Sequence, residues 1–337
     1  MSSDCPVPPS RPRRVTAKTV AEAAGVSRSA VSRAFTDGSY LDAEKRKRIK
    51  QVAAELGYQP NALAAGLQAG QSGLVAIFVG NMRSTYDTEF TNHLVRALNT
   101  LNKWPILIDG SDEGAKTAME ALLRYPLDAM ILRGGSMTEG IVAQCTRLGV
   151  PMISSGRPIS AAHVDNVCCL NADGTAQATR VLLERGRRRI GFIGGPSGFY
   201  SSGERLRGVT ETLDTTGLSL QACSHGDYTV DSGYSAARTM LAAHQIDGLI
   251  CANDATAIGA LTAARDMGID VPKALSVIGF DDIGMAKWPT FNLTTVRNPI
   301  DAAVSHIVDL LERRLAQTDK PAEMRHTHPR VVLRGTH

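Results

Sequence analysis

The sequence has little of what marks exported, membrane-spanning or metal-dependent proteins. Its six cysteines form no CxxC pair and no metal-ligand spacing, and no apolar run approaches the roughly 20 residues of a membrane span. Residues 1–14 are rich in Pro and Arg and contain no hydrophobic segment, so we expect a disordered basic arm and not a secretory signal. The corresponding expectations are reduced thiols, a cytoplasmic location, and no metal or cofactor.

Motifs of catalysis are also missing. Gly191-x-x-Gly194-Gly195 follows a predicted strand, but its spacing is not GxGxxG and no P-loop lysine follows it. The sequence contains no GxSxG or HExxH motif, and its eight histidines are scattered. We therefore do not expect an enzyme, and a nucleotide- or sugar-dependent enzyme is the weaker alternative.

The net charge of +4 is unevenly distributed along the chain. Residues 1–70 hold 11 Lys and Arg against 6 Asp and Glu, whereas the remainder holds 26 against 27. All of the excess positive charge thus lies at the N-terminal end. Such a distribution favours contact of that end with a polyanion such as DNA.

Two short helices joined by a glycine turn are predicted within this basic end. Thr16 and Ser27 are suited to cap the two helices, and Gly25 lies at the turn, where a positive φ is favoured. Apolar residues of both helices can pack together, which leaves these residues of the second helix pointing elsewhere: Arg28, Ser29, Ser32 and Arg33. This pattern predicts a helix-turn-helix, whose second helix enters the DNA major groove, with an ordinary helical bundle as the alternative.

A third helix is predicted over residues 43–56, capped by Asp42. Its expected buried stripe is Ile49, Val52, Ala53 and Leu56. Its other side carries basic residues that can face phosphates: Lys45, Arg46, Lys47, Arg48 and Lys50.

The rest of the chain alternates between short apolar strands and helical patterns, after a polar connector at residues 68–73. The predicted strands are 74–79, 106–108, 129–132, 152–154, 167–170, 189–193, 248–251 and 276–280. The predicted helices are 88–101, 113–124, 139–148, 172–185, 204–215, 231–243 and 255–267. Because the alternation occurs as two series in tandem, it predicts two doubly wound α/β subdomains with a ligand site where strand carboxyl ends face a shared crevice.

Several motifs resemble those of the LacI/GalR (lactose-repressor) family. The headpiece motifs are Val15-Thr16, Val20-Ala21, Ala24-Gly25-Val26-Ser27, Val31-Ser32-Arg33 and Leu56-Gly57-Tyr58-x-Pro60-Asn61. The effector-domain motifs include Gly191-Phe192-Ile193-Gly194-Gly195-Pro196, Ala252-Asn253-Asp254 and Val277-Ile278-Gly279-Phe280-Asp281-Asp282. The resemblance covers nearly the whole chain. It implies a sequence-specific regulator of transcription, most often a repressor, that binds near-palindromic operator DNA as a homodimer or higher oligomer.

The resemblance also implies the domain organisation. We expect a headpiece at 15–59, a hinge helix and linker at 60–73, and a periplasmic-binding-protein-like effector and dimerisation domain at 74–337. The first subdomain would comprise 74–159 and 291–320, and the second 160–290 and 321–337. The chain would cross between them near Arg157, Trp288 and Lys320, with a helix at 300–315 in the first subdomain and a strand at 331–334 in the second.

The DNA-binding residues that the resemblance implies lie in the headpiece and in the hinge helix. They are Thr16, Ser27, Arg28, Ser29, Ser32, Arg33, Asn61, Ala64, Leu67 and Gln68. Leu67 is expected to wedge between base steps in the minor groove. Ala65 and Gln68 stand where the family usually has basic residues, which lowers the expected affinity of the hinge for DNA.

The effector residues that the resemblance implies are grouped by loop. Tyr86 and Asp87 lie on the first loop, Phe199, Ser201 and Arg205 lie around the Pro196 loop, and Tyr228, Asn253 and Asp281 complete the set, with Arg133 and Arg157 following strands. Each of them can instead serve local pairing, capping or solvation. Two departures stand out: Arg83-Ser84 replaces the usual Asn-Pro, and Gly156 stands where an aspartate is common. The three arginines favour an anionic effector such as a sugar acid or phosphate, while Asp87 and Asp281 oppose it.

Two further classes of protein share parts of this pattern. A solute-binding protein has the same two-lobed architecture, but no export signal is predicted and a DNA-binding module lies in front. A ligand-independent architectural DNA-binding protein is the other alternative. A gel shift on a palindromic operator separates the first from a regulator, and thermal shifts with a metabolite panel separate the second.

Overall fold

The computed structural model describes residues 15–36, 38–61, 66, 71–80, 82, 84–110, 114–133 and 139–337. The predicted basic arm and the hinge residues Ala64, Leu67 and Gln68 lie outside the described residues. The chain divides into two units, Met1–Ser72 and Gly73–His337.

The first unit contains the predicted helices α1 (Ala17–Ala24), α2 (Arg28–Ala34) and α3 (Ala43–Glu55). All three predicted caps are confirmed, because the side chains of Thr16, Ser27 and Asp42 accept hydrogen bonds from the backbone amides of Thr19, Ala30 and Lys45. Gly25 ends α1 with φ 65°, as the turn requires. The three helices bury Val20, Ala24, Val31, Ala34 and Ile49 among the residues of one small apolar core.

Two predictions for α3 are wrong. Leu56 is 36% exposed instead of buried, because the helix ends at Glu55 and Leu56 serves as its C-cap. Arg46 is not free to face phosphates, since its guanidinium donates to the carbonyl oxygens of Arg33 (3.1 Å), Ala34 (3.0 Å) and Ser39 (2.6 Å). Arg46 therefore binds the end of α2, where the last carbonyls of a helix lack intrahelical partners.

The second unit is built on two six-stranded sheets. The order of the first, all parallel, is β11 (Met324–Thr327), β5 (Val164–Cys169), β4 (Met152–Ser155), β3 (Ala129–Arg133), β1 (Leu74–Val79), β2 (Trp104–Asp109). The order of the second is β12 (Arg330–Val332), β10 (Thr294–Arg297), β9 (Ser276–Asp281), β8 (Gly248–Cys251), β6 (Ile190–Gly194), β7 (Ala222–His225). Only the β10–β12 pair among the strands described here is antiparallel. The prediction of two doubly wound α/β subdomains is confirmed.

Helices cover both sheets. The first subdomain carries α4 (Thr85–Thr100), α5 (Gly114–Leu122), α6 (Glu139–Arg147) and α11 (Ile300–Ala316). The second carries α7 (Asn171–Glu184), α8 (Tyr200–Asp214), α9 (Val230–Ala243) and α10 (Asp254–Asp266). Both α4 and α8 begin earlier than predicted. Tyr86, Asp87 and Ser201 therefore lie in first helical turns and not on loops.

The three predicted crossing points between the subdomains are wrong. β5 pairs with β4 through Met152 and Val164, so the chain stays in the first sheet beyond Arg157. β10 pairs with β9, which keeps the chain in the second sheet beyond Trp288. β11 pairs with β5, so the chain stays in the first subdomain beyond Lys320. The crossings instead follow β5, β10 and β11. Apolar periodicity predicts a strand but does not reveal which backbone it will pair with.

A buried ionic cluster holds α11 on the first sheet. The Arg314 guanidinium donates to both carboxylate oxygens of Asp165 on β5, at 3.0 and 2.9 Å, and Lys320 Nζ donates to Asp165 Oδ1 at 2.8 Å. Arg314 and Asp165 have no exposed surface and Lys320 has 5%. Burial opposes ionisation of Asp165, but the hydrogen bonds from Arg314 and Lys320 outweigh it and lower the pKa of this carboxyl.

Candidate functional site

One face of α2 presents only polar side chains. Arg28, Ser29, Ser32 and Arg33 are exposed, while Ala30, Val31 and Ala34 are buried against the other helices. The orientation predicted from the sequence is confirmed. Thr16 and Ser27 are exposed and serve as caps, and Asn61 is exposed. The helix thus offers two guanidinium groups and two hydroxyls, the donor set that reads base edges in a major groove.

A cavity of about 380 Å³ lies between the two sheets of the second unit, at the carboxyl ends of β1, β3, β4 and β9. Every effector residue predicted from the sequence lines it: Tyr86, Asp87, Arg133, Arg157, Phe199, Ser201, Arg205, Tyr228, Asn253 and Asp281. The position agrees with the rule that doubly wound sheets bind ligands where strand carboxyl ends meet a crevice. Contact between these residues and a ligand stays a prediction.

The first subdomain contributes a cationic wall. Arg133 Nη2 donates to Asp87 Oδ1 at 3.0 Å, and the guanidinium carbon lies 3.6 Å from the centre of the Phe90 ring. Asp87 is held in turn by the Ser84 hydroxyl at 2.8 Å. Arg157 lines the same cavity and is exposed. Since Arg133 ends β3 and pairs in register with Ser155 of β4, Arg133 and Arg157 lie at the ends of neighbouring strands.

Arg205 is the centre of the opposite wall. Its guanidinium donates to Asn171 Oδ1 at 2.8 Å, to the Ala252 carbonyl oxygen, and to Asp281 Oδ1 at 3.5 Å. The guanidinium carbon also lies 3.7 Å from the centre of the Phe280 ring. Arg205 is only 6% exposed, so these contacts fix its orientation in the cavity wall.

Asp281 is buried and has the backbone φ of 111°, in the left-handed region that non-glycine residues rarely occupy. Burial raises its pKa to about 6, although the Arg205 charge and a hydrogen bond from Asn298 oppose the shift. Asp254 lies deeper, with no exposed surface, and burial raises its pKa well above the usual value. Strained, buried acidic groups of this kind cluster at functional sites.

Aromatic residues form the third part of the wall. Phe199 and Tyr228 meet edge to face with their ring centres 6.1 Å apart, and Ser201 Oγ lies 3.3 Å from Tyr228 Oη. Asn253 caps α10 and donates to the Tyr228 carbonyl oxygen at 3.0 Å. A Cβ on Gly195 would lie 2.1 Å from Tyr228 Cζ, so only glycine allows this ring position. Asn253 thus has a demonstrated role in placing Tyr228.

The sequence did not predict two asparagines that line the cavity. Asn171 accepts a hydrogen bond from Arg205, and Asn298 donates to Asp281 Oδ1 at 3.3 Å. Both line the cavity and follow strands, β5 and β10. The rule on strand carboxyl ends applies to both, but β10 was not predicted as a strand and the predicted crossing points placed β5 and β10 in the wrong subdomains.

No group of three or more His, Cys, Asp or Glu suited to hold a metal ion occurs in the described part of the chain. Within the same residues, no helix combines the length and apolar character needed to cross a bilayer.

Comparisons with known proteins match both parts of the chain. Residues 16–61 match bacterial regulatory proteins of the lacI family, and residues 179–337 match a periplasmic binding protein-like domain. The HTH-type transcriptional regulator GalS of Salmonella typhimurium is 30% identical over 313 residues, covering 90% of this chain and 91% of GalS. The chain therefore belongs to the LacI family of bacterial regulatory proteins and is a DNA-binding transcriptional regulator. The resemblance stated from the sequence is confirmed.

Solved structures show the same fold. The lac repressor dimer bound to operator and the anti-inducer ONPF aligns with a TM-score of 0.87 at 24% identity, covering 96% of this chain and 99% of that one. The complex of the transcriptional regulator CelR with cellobiose aligns with a TM-score of 0.73 at 27% identity, covering 96% and 100%.

Proposed function

We propose that this protein represses transcription as a dimer on near-palindromic operator DNA, and that a small polar metabolite in the cavity switches its operator affinity. One observation carries the proposal. The same chain presents an arginine- and serine-bearing face on the second helix of a helix-turn-helix and encloses a polar cavity between two lobes. A regulator needs both parts, whereas a solute-binding protein needs only the cavity. We propose further that the protein is a regulator and not an enzyme, and that it acts in the cytoplasm, where bacterial operator DNA lies.

The DNA-binding part of the proposal rests on the exposed face of α2. Arg28, Ser29 and Arg33 are assigned to base edges, where an arginine bonds guanine through two donors. The neighbouring hydroxyls and the exposed basic residues of α3 are assigned to phosphates: Thr16, Ser27, Ser32, Lys45, Lys47, Arg48 and Lys50. One headpiece covers one half-site, so two copies are needed to read a near-palindrome.

The hinge part rests on the sequence, since Ala64, Leu67 and Gln68 lie outside the described residues. Residues 61–68 are too few for a stable isolated helix, because helices below roughly 12 residues are marginal in water. We infer that the hinge folds when two copies pack in the minor groove, with Leu67 inserted between base steps and Asn61, Ala64 and Gln68 beside it.

The effector part rests on the size and chemistry of the cavity. Its volume of about 380 Å³ is near the lower end of the roughly 300–1,000 Å³ that small-molecule sites span. Aromatic rings beside guanidinium and carboxylate groups suit a hydroxylated molecule with two polar faces. CelR, one of the structural relatives, is known in complex with cellobiose. We therefore assign the effector to the sugars and their derivatives.

The experiment is a fluorescence-anisotropy titration of an operator selected from a random DNA library, repeated with a panel of metabolites. Arg33→Ala should weaken binding to the selected operator by tenfold or more while changing binding to random DNA much less, because a bidentate guanine contact contributes about 1–3 kcal/mol of discrimination. Lys50→Ala is the control, since a phosphate contact should weaken both to the same extent. Equal losses on both DNAs for Arg33→Ala would contradict the assignment.

A further inference from the structure

The cavity contains more cationic hydrogen-bond donors than its own carboxylates satisfy. Arg133 uses Nη2 on Asp87, but its Nε is buried with no acceptor and its Nη1 has none among the described residues. Arg157 makes no side-chain hydrogen bond or ion pair within the part of the chain that the structure describes. The unsatisfied donors belong to adjacent strand ends, so they lie on one wall.

The carboxylates that line the cavity already have partners other than Arg157. Asp87 Oδ1 accepts from Arg133 and its Oδ2 accepts from Ser84. Asp227 Oδ1 accepts from the backbone amide and the hydroxyl of Thr229. Asp281 lies on the opposite wall with Arg205 and Asn298. No carboxylate among the described residues therefore forms an ion pair with Arg157.

Gly156 keeps this wall cationic. It lies between Ser155, the register partner of Arg133, and Arg157, and a Cβ at this position would lie 3.7 Å from Arg133 Nη1. Its φ of 101° disfavours any other residue. A side chain with an acceptor there would satisfy Arg133, but glycine supplies none and leaves the space beside Nη1 to a ligand.

We infer that the effector is an anionic monosaccharide derivative, whose carboxylate or phosphate group binds between Arg133 and Arg157 and whose hydroxyls bind Asp281. This inference rests on the proposed function and narrows its effector to one class. Guanidinium groups match carboxylates and phosphates through paired N–H donors, so the unused donors of Arg133 and the free guanidinium of Arg157 suit an anionic group of the ligand. Asp281 Oδ2 has no donor among the described residues and accepts a ligand hydroxyl, while Oδ1 holds Arg205 and Asn298.

The inference is tested by calorimetric titration of the full-length protein with matched pairs at physiological salt. D-Glucuronate is compared with D-glucose, D-galacturonate with D-galactose, and D-glucose 6-phosphate with D-glucose. The anionic member of at least one pair should bind tenfold or more tightly than its neutral partner. The uronate and phosphate arms distinguish the two kinds of anionic group. Inorganic phosphate alone should bind at least tenfold more weakly than the best sugar derivative, because it lacks the hydroxyls that Asp281 accepts.

Variants at an exposed position avoid confusion with unfolding. Arg157→Ala should reduce affinity for the anionic ligand tenfold or more and leave affinity for its neutral partner unchanged. Arg157→Lys should retain most of the preference, because it keeps the charge. Arg180→Ala is the matched control, since Arg180 is an exposed arginine on α7 outside the cavity.

Three results would overturn the inference. They are neutral sugars binding as tightly as their anionic partners, inorganic phosphate binding as tightly as the sugar derivatives, and no binding by any compound of either set. The proposed function fails on a different measurement, when the protein shows no preference for any selected operator or no metabolite alters that binding. A neutral sugar that binds as tightly as its anionic partner and releases the operator would therefore contradict the inference but support the proposed function.

Discussion

Asp281 combines a strained backbone, burial and a raised pKa at the wall of the cavity. Its folded pKa of about 6 lies above the roughly 3.9 of an unfolded aspartate. The folded protein therefore holds a proton that the unfolded chain has released. The stability that this protonation contributes is fully present below about pH 4 and is lost as pH rises through about 6.

The Asp281→Asn variant should lack this pH dependence. Its amide is neutral throughout, so its stability relative to the wild type should increase between pH 5 and pH 8, by an unfolding free energy on the order of 1 kcal/mol. The measurement is thermal unfolding of the ligand-free protein across that range. Asp270→Asn, at an exposed carboxylate paired with Lys273, is the control. Parallel pH profiles for wild type and Asp281→Asn would refute the assignment.

The headpiece elements were predictable because their determinants are local. The side chain of a cap accepts from a backbone amide only three residues later, so a cap can be predicted from the sequence, as Thr16, Ser27 and Asp42 show. The role of Arg46 could not be predicted. Its partners on α2 and the following turn are distant in sequence, and only the packed structure brings their carbonyl oxygens to one guanidinium.

Arg46→Lys should therefore be poorly tolerated although it keeps the charge. A single ammonium group cannot donate to the carbonyl oxygens of Arg33, Ala34 and Ser39 at once. The last turn of α2 should therefore become less ordered. We expect operator affinity to fall about tenfold, since hydrogen bonds from a charged donor contribute about 1.5–3 kcal/mol. Arg48→Lys, at an exposed position of the same helix, should change affinity little. If Arg46→Lys lowers operator affinity no more than Arg48→Lys does, a positive charge alone is sufficient at position 46.

The element α11 depends on the buried cluster at Asp165. Asp165→Asn removes a charge that satisfies both Arg314 and Lys320, and an unpaired buried charge costs about 3–5 kcal/mol. Urea unfolding of the full chain should show a loss of that order. Asp309→Asn breaks only exposed pairs with Arg313 and Arg325 and should cost less than about 1 kcal/mol. If the two variants unfold at the same urea concentration, the cluster does not stabilise α11.

At the scale of the whole molecule, the sequence predicted the two lobes, the cavity between them and ten of the residues that line it. The lobes follow from the alternation of strands and helices, and the cavity follows from the strand carboxyl ends. Strand partners were not predictable, because β5, β10 and β11 pair with strands that periodicity cannot specify. The strands β7, β10 and β11 were also not predicted. The residues of β7 alternate between exposed and half-buried and include no run of large apolar side chains.

Communication between the two units is predicted to depend on Leu67. Leu67→Ala should weaken operator binding by about a hundredfold and reduce DNA bending, because an apolar wedge offsets the cost of unstacking a base step. Effector affinity, measured by calorimetry, should be unchanged. Gly66→Ala should instead strengthen operator binding, since alanine favours a helix by roughly 1 kcal/mol over glycine. Normal operator binding by Leu67→Ala would mean that the switch does not operate through the hinge.

The three chain crossings have a consequence for how such a protein can be divided and recombined. Each lobe is assembled from separated stretches of sequence, so no single cut releases one lobe intact from the other. The headpiece is different, since one joint between Ser72 and Gly73 separates the two units. Gene fusion can therefore give this effector unit a new DNA-binding headpiece with one joint, whereas exchanging a lobe requires three joints that match at once.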